Sequence, residues 1–157
     1  MDRVAIALGS NVGDRRAHLD YAVSALRALL ANLTVSRYYD TVPVGVSGPQ
    51  AMFLNAAAVG QTALAPRAML DALLAIELER GRERPYVNAP RTLDLDLILL
   101  GDVVLEEAGL VVPHPRFRER RFVLEPLAAV APDLRDPVSG KTVAELFSAA
   151  AADSGGA

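Results

Sequence analysis

The 157-residue sequence contains no cysteine, so disulfides and thiolate metal centres are excluded. No apolar run approaches the roughly 20 residues that a membrane-spanning helix requires. The apolar part of the opening MDRVAIALGSN is too short for a secretory signal. These absences predict a cytoplasmic protein without membrane contact. Aromatic residues are scarce, at 5%, and the net charge is −3. Both argue against a general nucleic-acid binder, which needs a cationic face with stacking rings. There is no GxxxxGK[ST] loop to cradle phosphates. No repeat, low-complexity tract or linker interrupts the chain. The length suits one domain with a proper core, here residues 1–150, followed by a flexible tail, 151–157.

Lysine is almost missing too: of 16 basic side chains, only Lys141 is not arginine. Arg80, Arg82, Arg84, Arg91, Arg116, Arg118, Arg120 and Arg121 crowd into one stretch. Arginine forks onto phosphate and carboxylate in a way that lysine does not. A GC-rich genome accounts for the choice of arginine but not for its clustering.

Hydrophobic period lays out the elements. RVAIALG, from Arg3 to Gly9, alternates as a strand. GSNVGDRR reads as a turn with helix-start chemistry, with Gly9, Ser10, Asn11 and Asp14 as turn and cap residues. Helical spacing then runs from Asp14 to about Leu30. NLTVSRYYD is a second strand, and Thr41 to Gln50 a loop rich in Pro and Gly. MFLNAAAVGQT is a third strand. Pro66 opens a second helix that ends near Gly81. RERPYVNAP is another loop, and LDLDLILL a fourth strand. A hairpin, VVLEEAGLVV, follows, and a short helix from Thr142 to about Ala149. The order β-α-β-β-α-β predicts an α+β, ferredoxin-like sandwich. Its antiparallel sheet would carry both helices on one face.

The fourth strand poses a chemical question. Residues two apart in a strand share a face. Leu93, Leu95, Leu97 and Leu99 therefore form one core-facing row. Asp94 and Asp96 share the opposite face with Ile98 and Leu100. Two carboxylates about 5 Å apart repel by about 3 kcal/mol at an effective dielectric of 20. A shared proton, an arginine or a divalent cation would offset this. Hard oxygen ligands at this spacing suit Mg²⁺, which commonly takes one or two carboxylates plus substrate phosphates. A water-facing sheet with two solvated aspartates is the plain alternative, although Asp is depleted in strands.

PRTLDLDLIL resembles the signature of the 6-hydroxymethyl-7,8-dihydropterin pyrophosphokinases of folate biosynthesis. ALGSN, YDTVPVG, FLNAAA, IELERGRER and VPHPRFRERRFVLEPLAAVAPD resemble further segments of that family, in the right order. The resemblance implies transfer of pyrophosphate from ATP to the pterin hydroxymethyl group, with release of AMP. It implies two Mg²⁺ held by Asp94 and Asp96, with Arg82 and Arg91 joining them as catalytic residues. Asp94 would also orient the attacking alcohol or accept its proton. ATP would be contacted by Glu77, Arg82, Arg84, Arg91, Leu97, His114 and Arg120. The pterin would lie between Phe53 and Phe122, be read by Asn55, and meet Thr41, Pro43 and Val44. Arg118 and Arg121 receive no role, and His18 is expected to be exposed. The implied partners are ATP and the pterin, with no nucleic acid, and the implied state is a monomer.

The sequence departs from the family where many members carry Trp-Gly-Pro-Arg; here Asn88-Ala89-Pro90-Arg91 stands. Two rival readings remain at this stage. One is another two-metal nucleotidyl or phosphoryl transferase. The other is a non-enzymatic ferredoxin-like module that binds RNA or a metabolite.

Overall fold

Val4, Ile6 and Leu8 alternate with Ala5 and Ala7, and this period builds the central strand, β1 (Asp2–Ser10). The computed structural model describes residues 1–41, 52–80 and 92–155. β1 pairs antiparallel with β4 (Phe53–Thr62) on one side and β5 (Asp94–Leu100) on the other. β2 (Ala31–Val35) and β3 (Tyr39–Thr41) both pair with β4. The order β2-β4-β1-β5 is the ferredoxin-like arrangement expected from the element sequence.

Helix α1 (Arg15–Leu29) starts where Asp14 accepts a hydrogen bond from the Ala17 N–H at 3.1 Å. Helix α2 (Pro66–Glu79) opens on Pro66, whose missing N–H costs nothing in a first turn. Leu19, Leu26, Met69, Leu73 and Ile76 pack onto the sheet face made by Val4, Ile6, Leu8, Leu93, Leu95 and Leu97. A hairpin, β6 (Leu105–Glu107) with β7 (Leu110–Val112), leans on this layer through Leu110 and Val112.

Four features differ from the sequence reading. NLTVSRYYD is two strands, not one. Ser36 breaks the run by placing its hydroxyl in the ladder: Oγ accepts from the Ala57 N–H at 2.9 Å, and the Ser36 N–H donates to the Ala57 carbonyl at 2.9 Å. The terminal helix, α4 (Val143–Gly155), runs past Ala149, as its alanine-rich sequence favours.

The opposite sheet face is not open along its length. A further helix, α3 (Arg121–Val130), and α4 cover part of it. Val123, Leu124, Leu127, Val143 and Leu146 pack there on Ala5, Ala57, Val59, Ile98 and Leu99. Nothing in the chain announces α3. No side chain caps its start, and Pro126 sits inside it, where proline normally removes a helical bond.

The leucine row of β5 is also not continuous. β1 pairs Ala5 with Leu99 but Ile6 with Leu97, so Ile98 is an extra residue. This bulge resets the alternation. Leu99 joins Ile98 under α3 and α4, and Leu100 returns to the α1–α2 core.

Candidate active site

Strand register assembles the site. Tyr39, Asn55, Gly9 and Asp94 stand opposite one another across β3, β4, β1 and β5. The neighbouring row holds Ala57, Ala7 and Asp96. On the other side, Thr41 pairs with Phe53. Directly paired residues of antiparallel strands point to the same face. Thr41, Phe53, Asn55, Asp94 and Asp96 therefore share the face turned away from α1 and α2. Residues far apart in sequence, such as Gly9, Asn55 and Asp94, are brought together by pairing alone.

Asn55 is buried among the apolar residues Leu54, Ala56 and Ala57 of β4. A buried amide is costly unless bonded. Its Nδ2 donates a short hydrogen bond to the Thr41 hydroxyl, which fixes the carboxamide in place. Asp94 and Asp96 are half-buried on β5. Among the described residues, no third His, Cys, Asp or Glu completes a metal cage around them. Two hard carboxylates on a rigid strand, with remaining positions left to water and phosphate oxygens, fit Mg²⁺. Ser10 Oγ and Asn11 Oδ1, at the same end of β1, are buried without a hydrogen-bond partner.

His114 reaches this face from the segment after β7. Its N–H donates to the Ile98 carbonyl at 2.9 Å, at the bulge. Its Nδ1 accepts from the Arg116 N–H at 3.2 Å, so the neutral ring carries its proton on Nε2. Burial lowers the imidazole pKa, Asp96 raises it, and Arg120 and Arg116 lower it further. Asp96 and Arg120 thus both lie within electrostatic reach of His114. A 3₁₀ turn, Phe117–Glu119, leads to Arg120 at the start of α3. The Arg120 guanidinium lies 5.7 Å from the centre of the half-buried Phe122 ring.

Two residues assigned to ATP by the resemblance turn their side chains elsewhere. Leu97 lies in the α1–α2 core. Glu77 is 2% exposed, and its Oε2 accepts from the Leu95 N–H at 2.7 Å. It thereby holds the outer edge of β5 between the two aspartates. Arg118 serves the fold, bound to Asp136, and Arg121 is exposed. His18 is not simply exposed: its Nδ1 accepts from Arg80 Nε at 2.8 Å. Pro43, Val44, Arg82, Arg84 and Arg91 lie outside the described residues.

Gly9 is the residue whose part in the site sequence reasoning missed: the sequence reads it both as the end of the first strand and as a turn residue, with no role beyond that. It belongs to β1, not to a turn, and occupies the row between Asn55 and Asp94. The available signal was the alternation, which continues through Leu8 and Gly9 to Ser10.

Residues 5–132 match the family model of 7,8-dihydro-6-hydroxymethylpterin-pyrophosphokinase. The chain belongs to this family. It is 44% identical over 151 residues to the 2-amino-4-hydroxy-6-hydroxymethyldihydropteridine pyrophosphokinase of Pseudomonas aeruginosa, covering 95% of this chain and 92% of that one. The protein of the same name in Bacillus subtilis is 46% identical over 133 residues, covering 83% and 79%. The fold is shared with the crystal structure of wild-type Plasmodium falciparum HPPK-DHPS, at a TM-score of 0.75 and 16% identity. That match covers 96% of this chain and 45% of the longer protein. The residues matched by the family model include β3, β4, β5 and most of β1.

Proposed function

We propose that this chain transfers the pyrophosphoryl group of ATP to the hydroxymethyl oxygen of 6-hydroxymethyl-7,8-dihydropterin and releases AMP, as a cytoplasmic monomer using Mg²⁺. The observation that carries this reading is the row Asn55–Gly9–Asp94. It sets an amide that reads a heterocycle and a carboxylate pair that serves phosphate chemistry on one sheet face. Family membership supplies the reaction.

Asp94 and Asp96 would hold two Mg²⁺. Bound there, the ions would supply charge neutralisation for the triphosphate. The alcohol oxygen bonds to the β-phosphorus of ATP, and the bond from that phosphorus to the α-bridging oxygen breaks. The hydroxyl proton is released to solvent, and AMP leaves with the bridging oxygen. Such chemistry depends mainly on positioning and electrostatics.

His114 presents a neutral Nε2–H donor to phosphate, beside the permanent charge of Arg120. Arg82, Arg84 and Arg91 add further cationic contacts to the triphosphate. Glu77 acts through β5, whose backbone it holds. Leu97 has the same outward backbone orientation as Leu95, two residues earlier, so it offers ATP main-chain groups. Phe53 and Phe122 stack on the pterin faces while Asn55 bonds its edge, an arrangement suited to a flat, polar heterocycle. Thr41, Pro43 and Val44 border the ring.

The test is to incubate pure protein with ATP, Mg²⁺ and the dihydropterin and identify every product. AMP formed only with pterin, in equal amount to a diphosphorylated pterin, is expected. ADP or free phosphate as the nucleotide-derived product overturns the reaction assigned here.

A further inference from the structure

Gly9 sits in the interior of a central strand, where glycine is normally a weakness. It forgoes side-chain packing and carries extra conformational entropy in the unfolded chain. Its backbone is ordinary extended strand, so no special dihedral demands it. The reason must lie in the space beside it. A Cβ built on Gly9 would stand 3.1 Å from Asn55 Oδ1. Its next contacts, Leu54 O at 3.9 Å and Phe53 Cδ1 at 4.0 Å, are ordinary.

The Asn55 carboxamide has little freedom to retreat, because its other end is bonded to Thr41. Gly60, in the neighbouring strand, makes a useful contrast. A Cβ there would meet Leu30 Cβ at 2.9 Å and the Ala31 carbonyl at 3.1 Å. Gly60 therefore serves helix–sheet packing, whereas the close contact at Gly9 is with a residue of the site face alone.

Register adds the second half of the argument. Asn55 and Asp94 flank Gly9 on either side. At about 4.8 Å between adjacent strands, they are about 10 Å apart across the sheet. That span accommodates a fused bicyclic ring with a hydroxymethyl arm. One end would meet the amide and the other the carboxylate.

We propose that Gly9 is a specificity-determining position. Its missing side chain leaves a bare floor over which the bicyclic ring lies, and leaves the Asn55 carboxamide placed to read the ring edge while the alcohol reaches Asp94. This inference rests on the pterin reading of the site and names what sets the ring's slot. The nearest atoms to a Cβ at Gly9 belong to Asn55, Leu54 and Phe53 and not to Asp94, so the effect of adding one should fall on one substrate only.

The experiment compares wild type, Gly9→Ala, Asn55→Ala and the double variant. It measures the affinity of 6-hydroxymethylpterin, the affinity of a non-hydrolysable ATP analogue with Mg²⁺, and the melting temperature. In Gly9→Ala, pterin affinity should fall by about tenfold or more, equivalent to about 1.4 kcal/mol. Nucleotide affinity should stay within about twofold, well under 1 kcal/mol. In the Asn55→Ala background the same substitution should cost little, since the crowded partner is gone; this coupling is what a double-mutant cycle reads.

Unchanged pterin affinity in Gly9→Ala overturns the proposal. So does an equal loss with and without Asn55, or an equal loss for the nucleotide. Strong destabilisation of both the single and the double variant assigns Gly9 to packing and also overturns it. A wild-type protein that binds the nucleotide but no pterin fails the functional reading itself, and the proposal falls with it.

Discussion

Arg118 grips the wholly buried carboxylate of Asp136 with two hydrogen bonds, from Nε to Oδ2 at 2.5 Å and from Nη2 to Oδ1 at 2.9 Å. The Val138 N–H and the Ser139 hydroxyl complete the shell, at 3.0 Å and 2.7 Å. The pair ties the 3₁₀ turn before Arg120 to the bend between α3 and α4.

This pair should govern acid stability. Burial alone would raise the Asp136 pKa, but Arg118, Ser139 and Val138 outweigh it and hold the group at about 2, below its ordinary 3.8. A depressed carboxylate stabilises the fold above its unfolded pKa, and the benefit disappears as pH falls through the folded value. The contribution is about 2 kcal/mol at neutral pH and is lost between pH 3.8 and about 2. Asp136→Asn should lower unfolding free energy by about 3 kcal/mol at pH 7, as breaking a buried pair does. Its stability should approach that of wild type near pH 2. Denaturant titrations across this range check both statements.

Asp96→Ala should separate catalysis from folding. The carboxylate is half-buried on the site face, and the core side of β5 is untouched by its removal. Turnover should fall by about 10³-fold or more, the equivalent of about 4 kcal/mol of lost charge stabilisation. Circular dichroism should be unchanged. Near-normal turnover in a folded variant would remove Asp96 from the metal site.

His18 should make the fold less stable as the pH falls below neutral. Burial lowers its pKa, and the adjacent Arg80 lowers it further. The unfolded chain therefore takes up a proton near pH 6.5 before the folded one does, and stability falls as pH drops below that value. Protonation also removes the Nδ1 acceptor that Arg80 uses. His18→Gln should show a smaller loss of melting temperature between pH 7.5 and 5.5 than wild type. His114 shifts in the same direction and remains in the variant, so the slope shrinks without vanishing.

Asp14→Ala should test the cap of α1 alone. The variant loses the bond to the Ala17 N–H and should be about 1 kcal/mol less stable. Asp14→Asn should restore most of that loss, since it keeps an acceptor oxygen. Thermal melts of the three proteins provide the comparison.

Local chemistry was legible in the chain itself. Asp14 announced α1, Pro66 announced α2, and alternation announced β1 and β5. Thr142 and Glu145 form the reciprocal cap that opens α4, the Thr142 N–H donating to Glu145 Oε1 at 3.0 Å and the Glu145 N–H to Thr142 Oγ1 at 3.2 Å. The carboxylate pair stood out because charge is costly in a strand. All of these signals act over a few residues.

Tertiary structure decided what depends on the neighbouring strand or layer. The bulge at Ile98 arises from how β5 registers on β1, and no feature of LDLDLILL marks it. Helix α3 is stabilised by packing on Ala57 and Val59, which outweighs the proline within it. Gly9 could be read as ending a strand or opening a turn until pairing placed it between Asn55 and Asp94. Sequence alone determined which side chains this protein brings to phosphate and heterocycle chemistry. Strand register, which joins residues far apart in the chain, decided that they face one another across a bare glycine floor.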